Sequence, residues 1–291
     1  MEITSRESMS SFDTMASLTG IRWSRFCGVP TPTRLPTIEG TELPILNSSS
    51  VVNPFDPPYE IWSERPMTPQ EMLDYAKEFG HFASTIKNQL LGRISNPVEA
   101  AKHMVEEAVD EKLNSHLQDG IDSSSSYDSW RRAMPRQTPP AIAKYQKHFP
   151  DYDSSAVDDA IFQIDFRLPL GQALFHGGIW PNSSSNSLVT DRPLSTTLLP
   201  SVALRNAEHK GKAYHAGEIQ LMVLTIRDLS IRSFVFRKSG TLLGHEHEVL
   251  LPSGIKLTIR NRICVREDYP SGLDGIRTKP IPGVVLEVDV G

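Results

Sequence analysis

From Gly171 onward the chain is cut into short apolar runs separated by turn signals. Residues 173–180, 194–199, 219–226, 232–237, 246–251, 256–263 and 284–290 carry β-branched, aromatic or aliphatic side chains, with Gly, Pro, Asn, Asp and Ser in the intervals. Runs this short cannot bury an apolar face alone; they pair into a sheet that packs against helices or another sheet. Residues 139–291 are therefore expected to form one compact α+β domain around a mixed or antiparallel sheet. No internal repeat at a fixed period interrupts this pattern.

The first half reads differently. Residues 1–60 hold clusters such as Asn47-Ser48-Ser49-Ser50 and Asn53-Pro54-Phe55-Asp56-Pro57-Pro58 and sustain no period. Such a segment is expected to be disordered, because too little apolar surface offsets its ordering entropy. A Ser-rich start suits a plain tail or the export signal of a type III apparatus; Glu2, Glu7 and Asp13 count against an organelle transit peptide. Residues 61–120 are expected to be helical. Thr68 and Pro69 form a start signal, and Met72, Tyr75, Ala76, Phe79, Phe82 and Ala83 follow at helical spacing. A second helix starts at Ser95-Asn96-Pro97 and reaches Leu113, giving a helical hairpin with its aromatic and Met residues in the core. Residues 121–138 read as a linker, marked by Ser123-Ser124-Ser125-Ser126. Two more helices are expected at 142–148 and 154–165, the latter capped by Asp153 or Ser154.

Composition excludes several classes. Thirty Lys plus Arg against 35 Asp plus Glu give a formal charge of −5, so no dominant basic surface marks nucleic acid as the main partner. Cys27 and Cys264 make no disulfide framework. No apolar run is long enough to span a bilayer, and neither a signal-peptide h-region nor a myristoylation signal opens the sequence as numbered.

Four stretches carry candidate chemistry, one of them the basic turn Arg237-Lys238-Ser239-Gly240. In Gly244-His245-Glu246-His247-Glu248-Val249-Leu250-Leu251-Pro252, strand parity puts Glu246 and Glu248 on one exposed face and His245, His247, Val249 and Leu251 on the inward one. Two carboxylates held together repel, which a fold gains little from; they are either a functional pair or charges guarding a strand edge. Leu174-Phe175-His176-Gly177-Gly178 ends a strand in glycines, where backbone can approach a ligand and His176 can donate to a phosphate or ribose. The plain alternative is an ordinary histidine at a strand end. Ser195-Thr196-Thr197 puts three hydroxyls on one strand, able to hold a carboxylate of the next, or present only for β-propensity.

Together these pieces resemble the mono-ADP-ribosyltransferases of the arginine-specific toxin and ecto-enzyme class. That family shows, in order, aromatic-Arg-Gly on one strand, Ser-Thr-Ser on another, and Glu-x-Glu after a mobile double turn. This chain has Phe175-His176-Gly177, then Ser195-Thr196-Thr197, then Glu246-His247-Glu248 followed by Val-Leu-Leu-Pro. The resemblance covers roughly residues 140–291. It implies an ADP-ribosyltransferase-like mixed β-sheet core with flanking helices, NAD as substrate, and no metal. It also implies Glu248, Glu246 and Ser195 as catalytic residues, and His176, Gly177, Thr196 and Thr197 around the dinucleotide. Glu248 would stabilise the charge that develops on the ribose, Ser195 would hold Glu248, and Glu246 would take the proton of the acceptor guanidinium. Glu246 is the one expected to protonate more easily, and residues 237–244 would form the double turn facing the protein substrate. The whole layout resembles a type III effector of a plant-pathogenic bacterium. Such a protein would be secreted, act in the host cytoplasm on a host protein, and work as a monomer without a membrane span.

One departure matters. The family's Arg is His176 here, although the second motif is not the tyrosine-based one of the diphtheria-like class, which carries a His at this place. Imidazole cannot fork onto a phosphate as a guanidinium does. A degenerate fold that binds a host protein without catalysis therefore stays open. So does a metal-binding cupin built on His245-x-His247, which lacks a later histidine to complete a ligand set.

Overall fold

A computed structural model describes residues 50–181, 185–238, 244–273 and 277–291. The expectations for residues 1–49, and most of the double turn, lie outside these residues. The elements run β1 (Tyr59–Pro66), α1 (Pro69–Phe79), β2 (Thr85–Ile94), α2 (Pro97–Glu107), α3 (Glu111–Asp122), α4 (Ser125–Ala133), α5 (Pro140–His148) and α6 (Ser154–Ile164). Then follow β3 (Ala173–Gly177), β4 (Ser187–Val189), β5 (Leu194–Thr197), α7 (Pro200–Glu208), α8 (Lys212–Ala216), β6 (Ile219–Ile226), β7 (Phe234–Val235), β8 (Glu248–Leu251), β9 (Lys256–Leu273) and β10 (Arg277–Val290).

The main sheet has eight strands in the order β4-β9-β10-β6-β3-β5-β8-β7. It is mixed: β10 pairs parallel with β6, and every other pair is antiparallel. Central β6 reads Ile-Gln-Leu-Met-Val-Leu-Thr-Ile and is buried on both faces, hence its largely apolar run. The α+β class with flanking helices is thus as expected. Among the described residues no helix is long and apolar enough to cross a membrane.

The first half departs from its reading. Residues 61–120 are not wholly helical, because β1 and β2 pair antiparallel as a separate two-stranded sheet. Helix α1 forms where Thr68 and Pro69 predict it, with a complete capping box to Glu71 and a left-handed Gly80 at its end. It nevertheless buries none of its residues, so the expected apolar core of a helical hairpin is absent there. Left-handed Ala108 ends α2, and the Asp110 carboxylate caps α3 at Lys112 and Leu113, splitting the single helix expected from residue 95. Met104 and Val105 of α2 and Leu113, Leu117 and Ile121 of α3 are fully buried.

Residues 121–138, read as a linker, carry the end of α3 and all of α4. The physical reason is that serine serves both as linker and as cap. The Ser124 hydroxyl accepts from the Tyr127 N–H, and Tyr127 and Trp130 are then buried. Residues 50–58, read as part of the disordered start, are also built in. Val52 and Phe55 lie in the same apolar core as β6, and the Gln172 side chain accepts from the Val52 N–H at 2.8 Å and donates to its carbonyl at 3.3 Å. The Trp130 indole donates to the Ser50 carbonyl at 3.2 Å.

Candidate active site

The β5–β8 register brings two of the motifs together. Ser195 pairs with Leu250, which makes Glu248 its diagonal neighbour on the same face. The Ser195 hydroxyl donates to Glu248 Oε1 at 2.6 Å, and the Gln146 amide, from α5, donates to Oε2 at 3.0 Å. The carboxyl is buried, and burial pushes it up to about 7 against the lowering effect of both hydrogen bonds; the nearby Glu246 adds to the rise. Burial also raises Glu246, opposed by His245 and Arg205. Glu248, not Glu246, is thus the more strongly shifted of the pair, contrary to the sequence expectation.

Strand parity does not bring the two carboxylates together. Strand β8 starts only at Glu248, and Glu246 ends a single 3-10 turn, Gly244–Glu246. His247 between them has φ 48°, in the left-handed region. The expected exposed face is also corrected, since Glu248 is 6% exposed and Leu250 fully buried. Strand β8 is an inner strand covered on both faces.

Glu246, Glu248, Ser195, His176 and Gly177 all line one cavity of about 400 Å³, together with residues of α5, α7 and the turn into α8. His176 Nδ1 lies 2.7 Å from the Ser195 carbonyl, which can only accept, so Nδ1 carries the proton and Nε2 is left as an acceptor. Burial lowers the imidazole's pKa, so the ring is neutral near pH 7 and supplies no charge for a phosphate. Gly177 is demanded by packing, because a Cβ there would lie 1.7 Å from the Ala203 carbonyl of α7.

Thr196 and Thr197 do not line the cavity, which corrects their place around a dinucleotide. The Thr196 hydroxyl donates to the Val249 carbonyl and the Thr197 hydroxyl to the Glu246 carbonyl, each at 2.6 Å. They fix the main chain that bears the two carboxylates. Gln146, Asn206, His209 and Lys212 also line the cavity and had no sequence signal. The Lys212 ammonium donates to the Asn206 carbonyl at 3.2 Å, and burial, Arg192 and Lys210 lower its pKa. Only the burial of Ile142 and Tyr145 hints that Gln146, next along α5, lies close to the sheet.

His245 is exposed while His247 is fully buried, so the His-x-His pair does not converge on one point. No group of three or more His, Cys, Asp or Glu able to hold a metal occurs among the described residues.

No protein-family model matches the chain, and no curated protein matches it in sequence. Solved structures similar to it include the enzymatic component C2-I of the C2 toxin from Clostridium botulinum. That protein is 10% identical, with 56% of this chain and 45% of that chain covered and a TM-score of 0.33. C3stau2 from S. aureus, solved with NAD, is 13% identical over 62% of this chain and 96% of that chain, with a TM-score of 0.33. The ADP-ribosyltransferase HopU1 of Pseudomonas syringae pv. Tomato DC3000 is 12% identical over 72% of each chain, with a TM-score of 0.29. The chain spans less than half the length of the first of these.

Proposed function

We propose that this chain is an NAD-dependent mono-ADP-ribosyltransferase that modifies arginine on a host protein, and that it is a type III effector acting in the host cytoplasm. The observation that carries the reading is the Ser195–Glu248 hydrogen bond inside a cavity that Glu246 and His176 also line. Motif residues from three separate stretches of sequence meet there.

The donor set suits the dinucleotide. Lys212 supplies positive charge in the cavity, Asn206 supplies neutral polarity, and Tyr145 and Phe149 offer aromatic faces. When bound, NAD supplies a nicotinamide–ribose bond that breaks with its electron pair leaving on nicotinamide. Glu248, once ionised, accepts a hydrogen bond from a ribose hydroxyl and stabilises the positive charge growing beside it. Ser195 and Gln146 keep both of its oxygens aimed, so no reorientation is needed as the charge develops. The Glu246 carboxylate orients the acceptor guanidinium and takes its proton as the new C–N bond forms.

The test is NAD calorimetry, nicotinamide release in water, and transfer to agmatine as a small guanidine, for the parent and for Glu246→Gln. The variant is expected to hydrolyse NAD within about tenfold of the parent, yet to lose transfer to agmatine by about a hundredfold, the usual scale of a general base. A parent that neither binds nor cleaves NAD overturns the reading.

His176 favours a second reading, a fold of this kind that holds a protein partner without turnover. A neutral ring that spends its one proton on the Ser195 carbonyl leaves the dinucleotide without the family's guanidinium. His176→Arg separates the two readings. A charge-assisted bond contributes roughly 1.5–3 kcal/mol, so NAD affinity should rise by about tenfold or more. Binding detected only in the variant supports the second reading. Binding by the parent that the variant weakens makes His176 an adapted ligand and supports the transferase.

A further inference from the structure

His247 stands between the two carboxylates, but its own contacts face away from the cavity. The side chain is fully buried, and its Nδ1 lies 3.2 Å from the Tyr127 hydroxyl with the two rings 5.4 Å apart. Its Nε2 has no hydrogen-bond partner, and it lies 4.0 Å from Asp122 Oδ1, which is also buried and unpartnered. The other oxygen of Asp122 takes the Lys238 ammonium at 2.5 Å. One residue earlier, the Arg237 guanidinium donates twice to the Arg131 carbonyl, at 3.1 and 2.9 Å. The α3–α4 corner therefore grips the chain on both sides of residues 239–243, at 237–238 and again at 247.

A histidine holds a left-handed φ only when its surroundings fix it. The His247 carbonyl takes the Leu198 N–H at 3.2 Å, while its side chain meets one hydroxyl, one carboxylate and an aromatic ring, all from the corner. Because His247 adjoins both Glu246 and Glu248, its backbone decides how the two carboxylates face each other. We propose that Asp122 and Tyr127 are positioning residues that act through His247 to set the relative placement of Glu246 and Glu248 in the cavity. The role in catalysis rests on the transferase reading above; the role in geometry does not.

Three variants test it: Tyr127→Phe, Asp122→Asn, and His247→Asn, whose small polar side chain tolerates the left-handed region but cannot reach the corner. For each, nicotinamide release is followed against NAD concentration and pH. The titration of Glu248 is followed by carboxyl 13C NMR, with Glu248→Gln assigning the signal. The charged and titratable groups around His247 are Asp122, Lys238, Arg131 and His245, so the profile is taken at constant ionic strength. Tyr127→Phe is expected to lower kcat by about tenfold with KM within about twofold, the split that marks a group acting on the transition state. A less constrained Glu246 repels Glu248 less, so the acid limb and the 13C midpoint should both move down. His247→Asn should show the same shift, larger.

If all three variants keep the parent's kcat and Glu248 midpoint and lose only thermal stability, the corner is merely structural and the proposal is overturned. If the parent does not turn over NAD, the transferase reading fails by itself, and the 13C midpoint still decides: displaced in Tyr127→Phe and His247→Asn supports the positioning role, unchanged overturns it. Should Tyr127→Phe fail to fold, Asp122→Asn and His247→Asn carry the same two readouts.

Discussion

Glu248→Gln will lower NAD turnover by about 10²–10³-fold or more, the scale expected when a preorganised charge is removed from a developing one, and will stabilise the protein above neutral pH. Both effects come from the same burial. Below about 4.5 the carboxyl is neutral folded and unfolded, so it neither favours nor opposes folding there. Between 4.5 and about 7 the unfolded chain ionises and the folded one does not, and the native state loses ground. Above about 7 the loss is complete, and holding the carboxyl at that value instead of 4.5 corresponds to about 3 kcal/mol. The amide escapes that penalty. It still accepts from Ser195 but turns an NH₂ group toward the Gln146 NH₂, so the net gain is below the maximum.

The measurement is nicotinamide release together with melting of parent and variant at pH 4 and pH 8. For a chain of this size about 1 kcal/mol corresponds to roughly 2–4 °C, so a gain confined to pH 8 is readable. Parent-like turnover would sink the role of Glu248, and an equal gain at both pH values would sink the burial argument. On the transferase reading, hydrolysis by the parent should rise as pH climbs through the titration of Glu248, since that reading makes the ionised carboxylate the working form.

Removing residues 50–57 should cost about 3–6 kcal/mol, estimated from roughly 1.5–3 kcal/mol for each buried large apolar side chain. Val52 is 3% and Phe55 6% exposed. The same deletion leaves the Gln172 amide, itself buried, without either of its bonds to Val52. Its NH₂ keeps the Ala173 carbonyl at 2.8 Å, but its oxygen is orphaned, which adds about 1–3 kcal/mol. Urea unfolding of chains starting at residue 50 and at residue 58 compares the two cleanly, and Phe55→Ala in the full chain, expected to cost about 3–5 kcal/mol, isolates one side chain. An unchanged midpoint in the shorter chain would return these residues to a dispensable tail.

That segment also marks where the sequence misleads. Asn53-Pro54-Phe55-Asp56-Pro57-Pro58 has the composition of disorder, and Phe55 with the preceding Val51 and Val52 carries no period. Val52 and Phe55 lie in the core, and Val52 is held by Gln172, 120 positions away. The strands from β3 onward were legible because their apolar runs answer to burial on the sheet. Strands β1 and β2 were not, because most of their residues are exposed or half-buried and no face is apolar throughout. In the site, Ser195 and Glu248 were legible as a pair, since cross-strand chemistry follows from residue type. Their geometry was less so. Parity arguments assume extended backbone, and left-handed His247 breaks that assumption at the decisive position. Gln146, Asn206 and Lys212 come from helices whose patterns report burial, not which polar side chain reaches a carboxylate.

The place of β10 bears on how the chain can be made. Strand β6 lies between β3 and β10, and its parallel partner is not complete until residue 290 has been synthesised. The residues of the cavity precede β9, so a growing chain holds all the site's chemistry before its sheet can close. Until then β6 offers a nearly all-apolar edge to any neighbour, and distant parallel pairing of this kind closes slowly. A ribosome-bound or prematurely stopped chain ending before β10 should therefore be a substrate for chaperones and prone to association. A chain threaded through a narrow channel would meet the same delay on emerging, with the sheet that carries the candidate site complete only when the last strand arrives.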